Sequence, residues 1–151
     1  MPRRLKLSLL SPIHIDFFYK INQGIEMIQL KGVHNLVVKS SVRTHSILSD
    51  TSVSSGGQDE GMNPHEILET ALAACTAITL KMYAKRKNIA LEDVQVEVHT
   101  VSEGKDSVLS RKVHLVGTMS AEDKTRLMEI ADKCPIHKLL TSNITIQTEQ
   151  I

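Results

Sequence analysis

Two cysteines, Cys75 and Cys134, are the side chains best suited to covalent or redox chemistry. Cys75 lies within NPHEILETALAACTAITLKMYAKRK, and Cys134 within IADKCPIHKLL. A cysteine reacts as its thiolate, which needs a cation or hydrogen-bond donors close by. Cys75 falls deep inside an apolar-patterned stretch, too far from a helix end for the macrodipole to help it. It would need an Arg or His brought in from elsewhere. Cys134 precedes Pro135 and is placed to cap a following helical turn, where free N–H groups favour a thiolate. The bland reading is that each is a small buried hydrophobe, since cysteine is among the most buried residue types. The residues alone leave both readings open. A metal site is a third use, because Cys134 and His137 have C-x-x-H spacing and Cys75 and His65 could join them. Structural sites want four ligands in close pairs, so one such pair leads us to expect no metal.

The elements that must position these thiols can be traced from residue patterns. Asn63 is a favoured N-cap, Pro64 suits the first helical position, and Glu66 stands third. Leu68, Ala71, Leu72, Cys75, Ile78, Thr79 and Met82 then recur at helical steps as one apolar face. Ile67, Ala74 and Leu80 extend it onto a second face, as expected of a central helix. Upstream, IEMIQLKG and HNLVVKSSV read as a hairpin joined around Gly32, and THSILSD as a further strand. DTSVSSGGQDEGMNP reads as a surface loop. Downstream, VQVEVHTV alternates with period two, SEGKDS is a turn, and VLSRKVHLVGTM is a second strand. Ser120 with Asp123 starts another helix, whose face runs through Leu127, Ile130, Ala131 and Cys134. Pro135 ends that helix, PIHKLLTS gives a short further helical turn, and NITIQTEQ a final strand. The order predicts an α+β domain with segregated layers.

Bulk properties narrow the function. The chain has 151 residues, with 41% hydrophobic and 23% charged side chains, as one ordinary globular domain would. A net charge of +1 and four Phe or Tyr residues (Phe17, Phe18, Tyr19 and Tyr83) argue against nucleic acid. No uninterrupted apolar run approaches the roughly 20 residues of a spanning helix. The basic start, MPRRLKLSLLSPIHIDFF, is broken by Pro12, His14 and Asp16, unlike a signal peptide. We therefore expect a cytoplasmic protein without membrane partners.

The stretch GMNPHEILETALAACTAITLKMYAKRKNIALEDVQVEV, with RLMEIADKCPIHKLLTSNITIQT after it, resembles the OsmC/Ohr family of osmotically inducible and organic-hydroperoxide-resistance proteins. The resemblance implies a metal-free, cofactor-free, two-cysteine peroxidase. Cys75 would attack the peroxide and become a sulfenic acid, and Cys134 would condense with it to a disulfide. A dithiol or lipoyl-type reductant would reset the pair. It implies an intertwined homodimer, with antiparallel sheets wrapped around two central helices. One domain would span residues 1–151, with 1–28 as an extension or extra strand. The family's hydroperoxide reductases place a Glu two residues after the helix-start Asn; here His65 stands there and Glu66 follows. That shift, and THSILSD before a Gly-containing loop, resemble the OsmC-like branch.

The catalytic candidates are thus Cys75, Cys134, Arg43 as the activating cation, and Glu66. Arg43 has a plain alternative as a solvated strand-end residue, and Glu66 as a helix cap. Leu68, Leu72, Met82 and His65 are the substrate-side candidates for an organic hydroperoxide. The competing function is an OsmC-like protein without turnover that binds an apolar or electrophilic small molecule at the dimer cleft.

Overall fold

The structure, a computed structural model, describes residues 27–150. The expected N-terminal extension falls almost wholly outside them. The fold is α+β, with two antiparallel sheets and three helices, in two compact units that divide after Gly61.

The first unit is a three-stranded meander of β1 (Gln29–His34), β2 (Val37–Val42) and β3 (His45–Ser49). Its first turn is not at Gly32, which pairs with Val38 inside β1. The turn falls at Asn35 and Leu36, where Asn35 takes a left-handed φ of 46°. Asn tolerates that region, and glycine is not required for it. The β2–β3 turn likewise holds Arg43 at φ 52°. Beyond β3 the loop is more ordered than its Ser/Gly content suggests. A 3-10 turn spans Val53–Ser55, and the loop folds over the buried Asp50 carboxylate. Oδ2 of Asp50 accepts from the N–H groups of Gln58 at 2.9 Å and Glu60 at 3.3 Å. Gly57 permits this closeness, because a Cβ there would lie 2.0 Å from the Thr51 carbonyl oxygen.

The second unit is built on α1 (Pro64–Lys87). Its start is a full capping box: Asn63 accepts from the Glu66 N–H at 3.0 Å, and Glu66 accepts from the Asn63 N–H at 2.8 Å. Its end is Asn88, left-handed at φ 54°, after Lys85, Arg86 and Lys87. The hairpin of β4 (Asp93–Ser102) and β5 (Val108–Val116) packs against α1, as do α2 (Ala121–Ala131) and α3 (Pro135–Leu140). Leu80, Ala84, Val94, Leu127 and Ala131 form the core.

The buried stripe of α1 is Leu72, Thr76, Leu80 and Ala84, a strict four-residue step. The broader apolar face expected from the sequence is covered only in part. Leu72 is buried, Cys75 and Thr79 are half-buried, and Leu68, Ile78 and Met82 are exposed. By length and composition α1 could cross a membrane, contrary to the expectation from uninterrupted apolar runs. That expectation counted runs broken by Glu66, Glu69 and Thr70, whereas a helix tolerates a few polar residues among many apolar ones. A central core helix has the same length and composition, and α1 packs on β4, α2 and α3.

Two further expectations are corrected. α2 ends at Ala131, so Cys134 is not on its face. Residues 143–150 form no strand, because nothing among the described residues pairs with them.

Candidate functional site

Cys134 is the N-cap of α3, and its sulfur accepts from the His137 N–H at 3.3 Å. The chain reaches this position through a tight turn after α2, closed by Lys133 N–H to the Ile130 carbonyl and Cys134 N–H to the Ala131 carbonyl. Pro135 fixes the first helical residue of α3, where its missing N–H costs nothing. Cys134 is fully buried; Cys75, in the middle of α1, is half-buried. The two thiols are free and are neighbours across the α1–α3 contact.

Burial pushes the Cys75 thiol up. The backbone N–H of Ile136 pulls it down, the adjoining Cys134 raises it by charge and by side-chain contact, and Thr79 lowers it. Burial wins, so Cys75 is held as a thiol by its own unit.

A guanidinium stands behind the pair. Arg111 on β5 has a side chain only 12% exposed. Its Nη1 donates to the Thr76 hydroxyl and to the Ala131 carbonyl, both at 3.1 Å, and Nη2 meets the Asp132 carboxylate at 2.6 Å. Thr76 in turn lies 3.7 Å from the Cys134 sulfur and donates to the Leu72 carbonyl at 2.8 Å. Neither Arg111 nor Thr76 was among the residues expected to act here. A signal was present: Val98, Val96 and Val94 pair across the hairpin with Arg111, Val113 and Leu115. Period-two alternation therefore puts Arg111 in the core-facing row, where an unpaired charge is costly and a partner is implied.

The other candidates are placed as follows. Glu66 is committed to the capping box and, with Glu69, Ala73 and Val96, lines a groove between α1 and β4. At about 100° per residue that position lies opposite Cys75 on the helix. His65 is exposed and pairs with Glu103 at 3.0 Å. Leu72 faces the core, while Leu68 and Met82 stay exposed. Arg43 belongs to the first unit, exposed at the β2–β3 turn. Among the described residues no group of three or more His, Cys, Asp or Glu side chains could hold a metal.

Residues 57–149 match the family described as OsmC-like protein. The chain belongs to that family. No curated protein gives a significant sequence match to this OsmC-like chain. Among solved structures, it is similar to a Psychrobacter arcticus protein assigned to osmotic stress induction and detoxification response. Their identity is 20% and the TM-score 0.67, over 78% of this chain and 89% of that one. It is similar to an OsmC-like protein from Mycoplasma pneumoniae, at 16% identity and TM-score 0.66, over 79% and 88% of the two chains. An organic hydroperoxide resistance protein from Elizabethkingia anophelis, with thiocyanate bound, gives 20% identity and TM-score 0.58 over 80% and 92%. At such identities these likenesses establish the OsmC-like fold.

Proposed function

We propose that this OsmC-like chain is a thiol peroxidase acting on organic hydroperoxides in stress defence, with Cys75 as the peroxidatic and Cys134 as the resolving residue. The observation that carries the reading is the pairing of a half-exposed free thiol with a fully buried one. A peroxide can reach the first and not the second. The Cys75 thiolate attacks the terminal peroxide oxygen, the O–O bond breaks, and the alcohol leaves with a proton. Cys75 is then a sulfenic acid. Cys134 attacks that sulfur, an S–S bond forms, and the hydroxyl departs as water with the Cys134 proton. A dithiol or lipoyl-type reductant takes the disulfide back to two thiols and is itself oxidised. The cycle needs no metal or cofactor.

The relatives' naming for organic hydroperoxide resistance supports the substrate class. The uncovered apolar side chains of α1, Leu68, Ile78 and Met82, support a homodimer that buries them, the two copies forming an intertwined domain over residues 1–151. Because burial pushes the Cys75 thiol up, the dimer must bring a cation to it, and Arg43 is the candidate. The accessibility of the free Cys75 thiol also supports a second reading: a protein that binds an apolar or electrophilic small molecule there without turnover. A cytoplasmic location, where thiols are kept reduced, suits a cycle that returns to two thiols.

The test is peroxide consumption driven by a dithiol. Cys75→Ser abolishes turnover, and Cys134→Ser consumes about one equivalent per site before stopping. Full activity in Cys75→Ser overturns the assignment. A stable adduct at Cys75 with no peroxide turnover in the wild type selects the second reading.

A further inference from the structure

Arg111 sits in the core-facing row of β5 and contacts both segments that carry the sulfurs. On α1 it donates to Thr76, the residue after Cys75. At the end of α2 it donates to the Ala131 carbonyl and pairs with Asp132, at the turn that delivers Cys134. Thr76 is fully buried, and its hydroxyl lies between the guanidinium and the Cys134 sulfur.

The hydroxyl has one hydrogen. As long as that hydrogen goes to the Leu72 carbonyl, the oxygen can only accept, from Arg111 and from the Cys134 thiol. When Cys134 loses its proton to attack, its sulfur can no longer donate to Thr76 and becomes a stronger acceptor than it already is towards the His137 N–H. The Thr76 hydroxyl can then rotate to donate to it. Leu72 loses little by this, because an i→i−4 helical N–H still serves its carbonyl. Arg111 stays on the Thr76 oxygen throughout and polarises the O–H towards the sulfur.

We propose that Arg111 and Thr76 are positioning residues for disulfide closure: the guanidinium, acting through the Thr76 hydroxyl, holds Cys134 against Cys75 and steadies the sulfur as it becomes a nucleophile. This deepens the peroxidase reading and rests on it for the physiological step, although the exchange chemistry can be tested without peroxide. Cys134 attacks the sulfur bonded to Cys75, a new S–S bond forms, and the group carried by Cys75 leaves. After peroxide that group is hydroxide, which leaves as water. After an aromatic disulfide reagent it is the reagent's coloured thiolate.

The experiment uses the reduced full-length protein and one equivalent of a nitrothiobenzoate disulfide. Half-buried Cys75 releases the first thiolate, and fully buried Cys134 releases the second as the ring closes. A hydrogen bond donated to a charged group predicts that Thr76→Val slows the second release about tenfold or more relative to the first. Thr76→Ser, which keeps the hydroxyl, restores it. Arg111→Lys, which keeps the charge but cannot span three acceptors, slows it too. A purely structural role would not separate Ser from Val in this way. Equal second-phase rates in the wild type and Thr76→Val overturn the proposal, as does a Thr76→Ser protein as slow as Thr76→Val. A wild type that consumes no peroxide, with Thr76→Val still slow in the second release, removes the peroxidase reading and leaves the positioning role standing.

Discussion

The two units of this chain are held together by different physics. The second has an apolar core, with Leu80, Ala84, Val94, Leu127 and Ala131 in contact from α1, β4 and α2. Its buried polar groups, Thr76 and Arg111, are partnered. The first buries little beyond Val37, Ser49 and Asp50, and leaves Met27, Leu30, Val33 and Ile47 more than half exposed. A small sheet needs one apolar face covered to be stable. The first unit instead relies on turn chemistry and on one carboxylate that gathers backbone N–H groups. Both cysteines thus lie in the unit whose own core can hold two sulfurs in register.

The largest effect that can break this contrast is a cavity in the second unit. Leu127 is fully buried, so Leu127→Ala loses about 2–5 kcal/mol, read as a lower urea midpoint. The loss should carry the Cys75–Cys134 pair with it, because α2 and its closing turn deliver Cys134. A Leu127→Ala protein that unfolds at the wild-type midpoint would mean the second unit has no cooperative core.

This contrast also governs how much could be read in advance. The α1 start was legible because Asn63, Pro64 and Glu66 satisfy backbone groups locally, within four residues. The β4–β5 hairpin was legible because Val94, Val96 and Val98 alternate. The convergence of the two thiols was implied only by resemblance, since nothing local links positions so far apart. The alternation of β5 marked Arg111 as core-facing, but its role was hidden because that role depends on three partners from outside β5. The final strand failed because strands need a neighbour, and NITIQTEQ has none among the described residues. The β1–β2 turn was misplaced because Gly32 was given the weight that Asn35 carries.

A smaller effect, confined to the first unit, concerns acid. The N–H groups of Gln58 and then Thr51 hold the Asp50 carboxyl below its usual range; burial opposes them, and Glu60 and Asp59 add weaker help. A depressed carboxyl contributes stability that is fully present above the unfolded value, about 3.9, and fades as pH falls through the lower folded value. Asp50→Asn should therefore weaken the first unit most near neutral pH, and the gap to the wild type should shrink below about pH 4. Unfolding curves or hydrogen exchange of the Gln58 and Glu60 amides at several pH values read this directly. A gap that widens in acid would reverse the sign and dismiss the carboxylate as the organiser of the loop.

The smallest expected effect is on the open sheet face. Ile47 is half exposed, and its cross-strand partner is Ser40, which offers little to pack against. In dilute protein Ile47→Thr keeps a β-branched residue and should change stability by no more than about 0.5 kcal/mol, as surface substitutions do. Raising the protein concentration sharpens the test. A homodimer that covers this face makes the cost grow with concentration, because association stabilises only the folded form. A loss of about 2 kcal/mol at every concentration would match a buried core position instead. Ile47 would then belong to a core of its own unit, and the distinction between a unit with its own apolar core and an open sheet would fail.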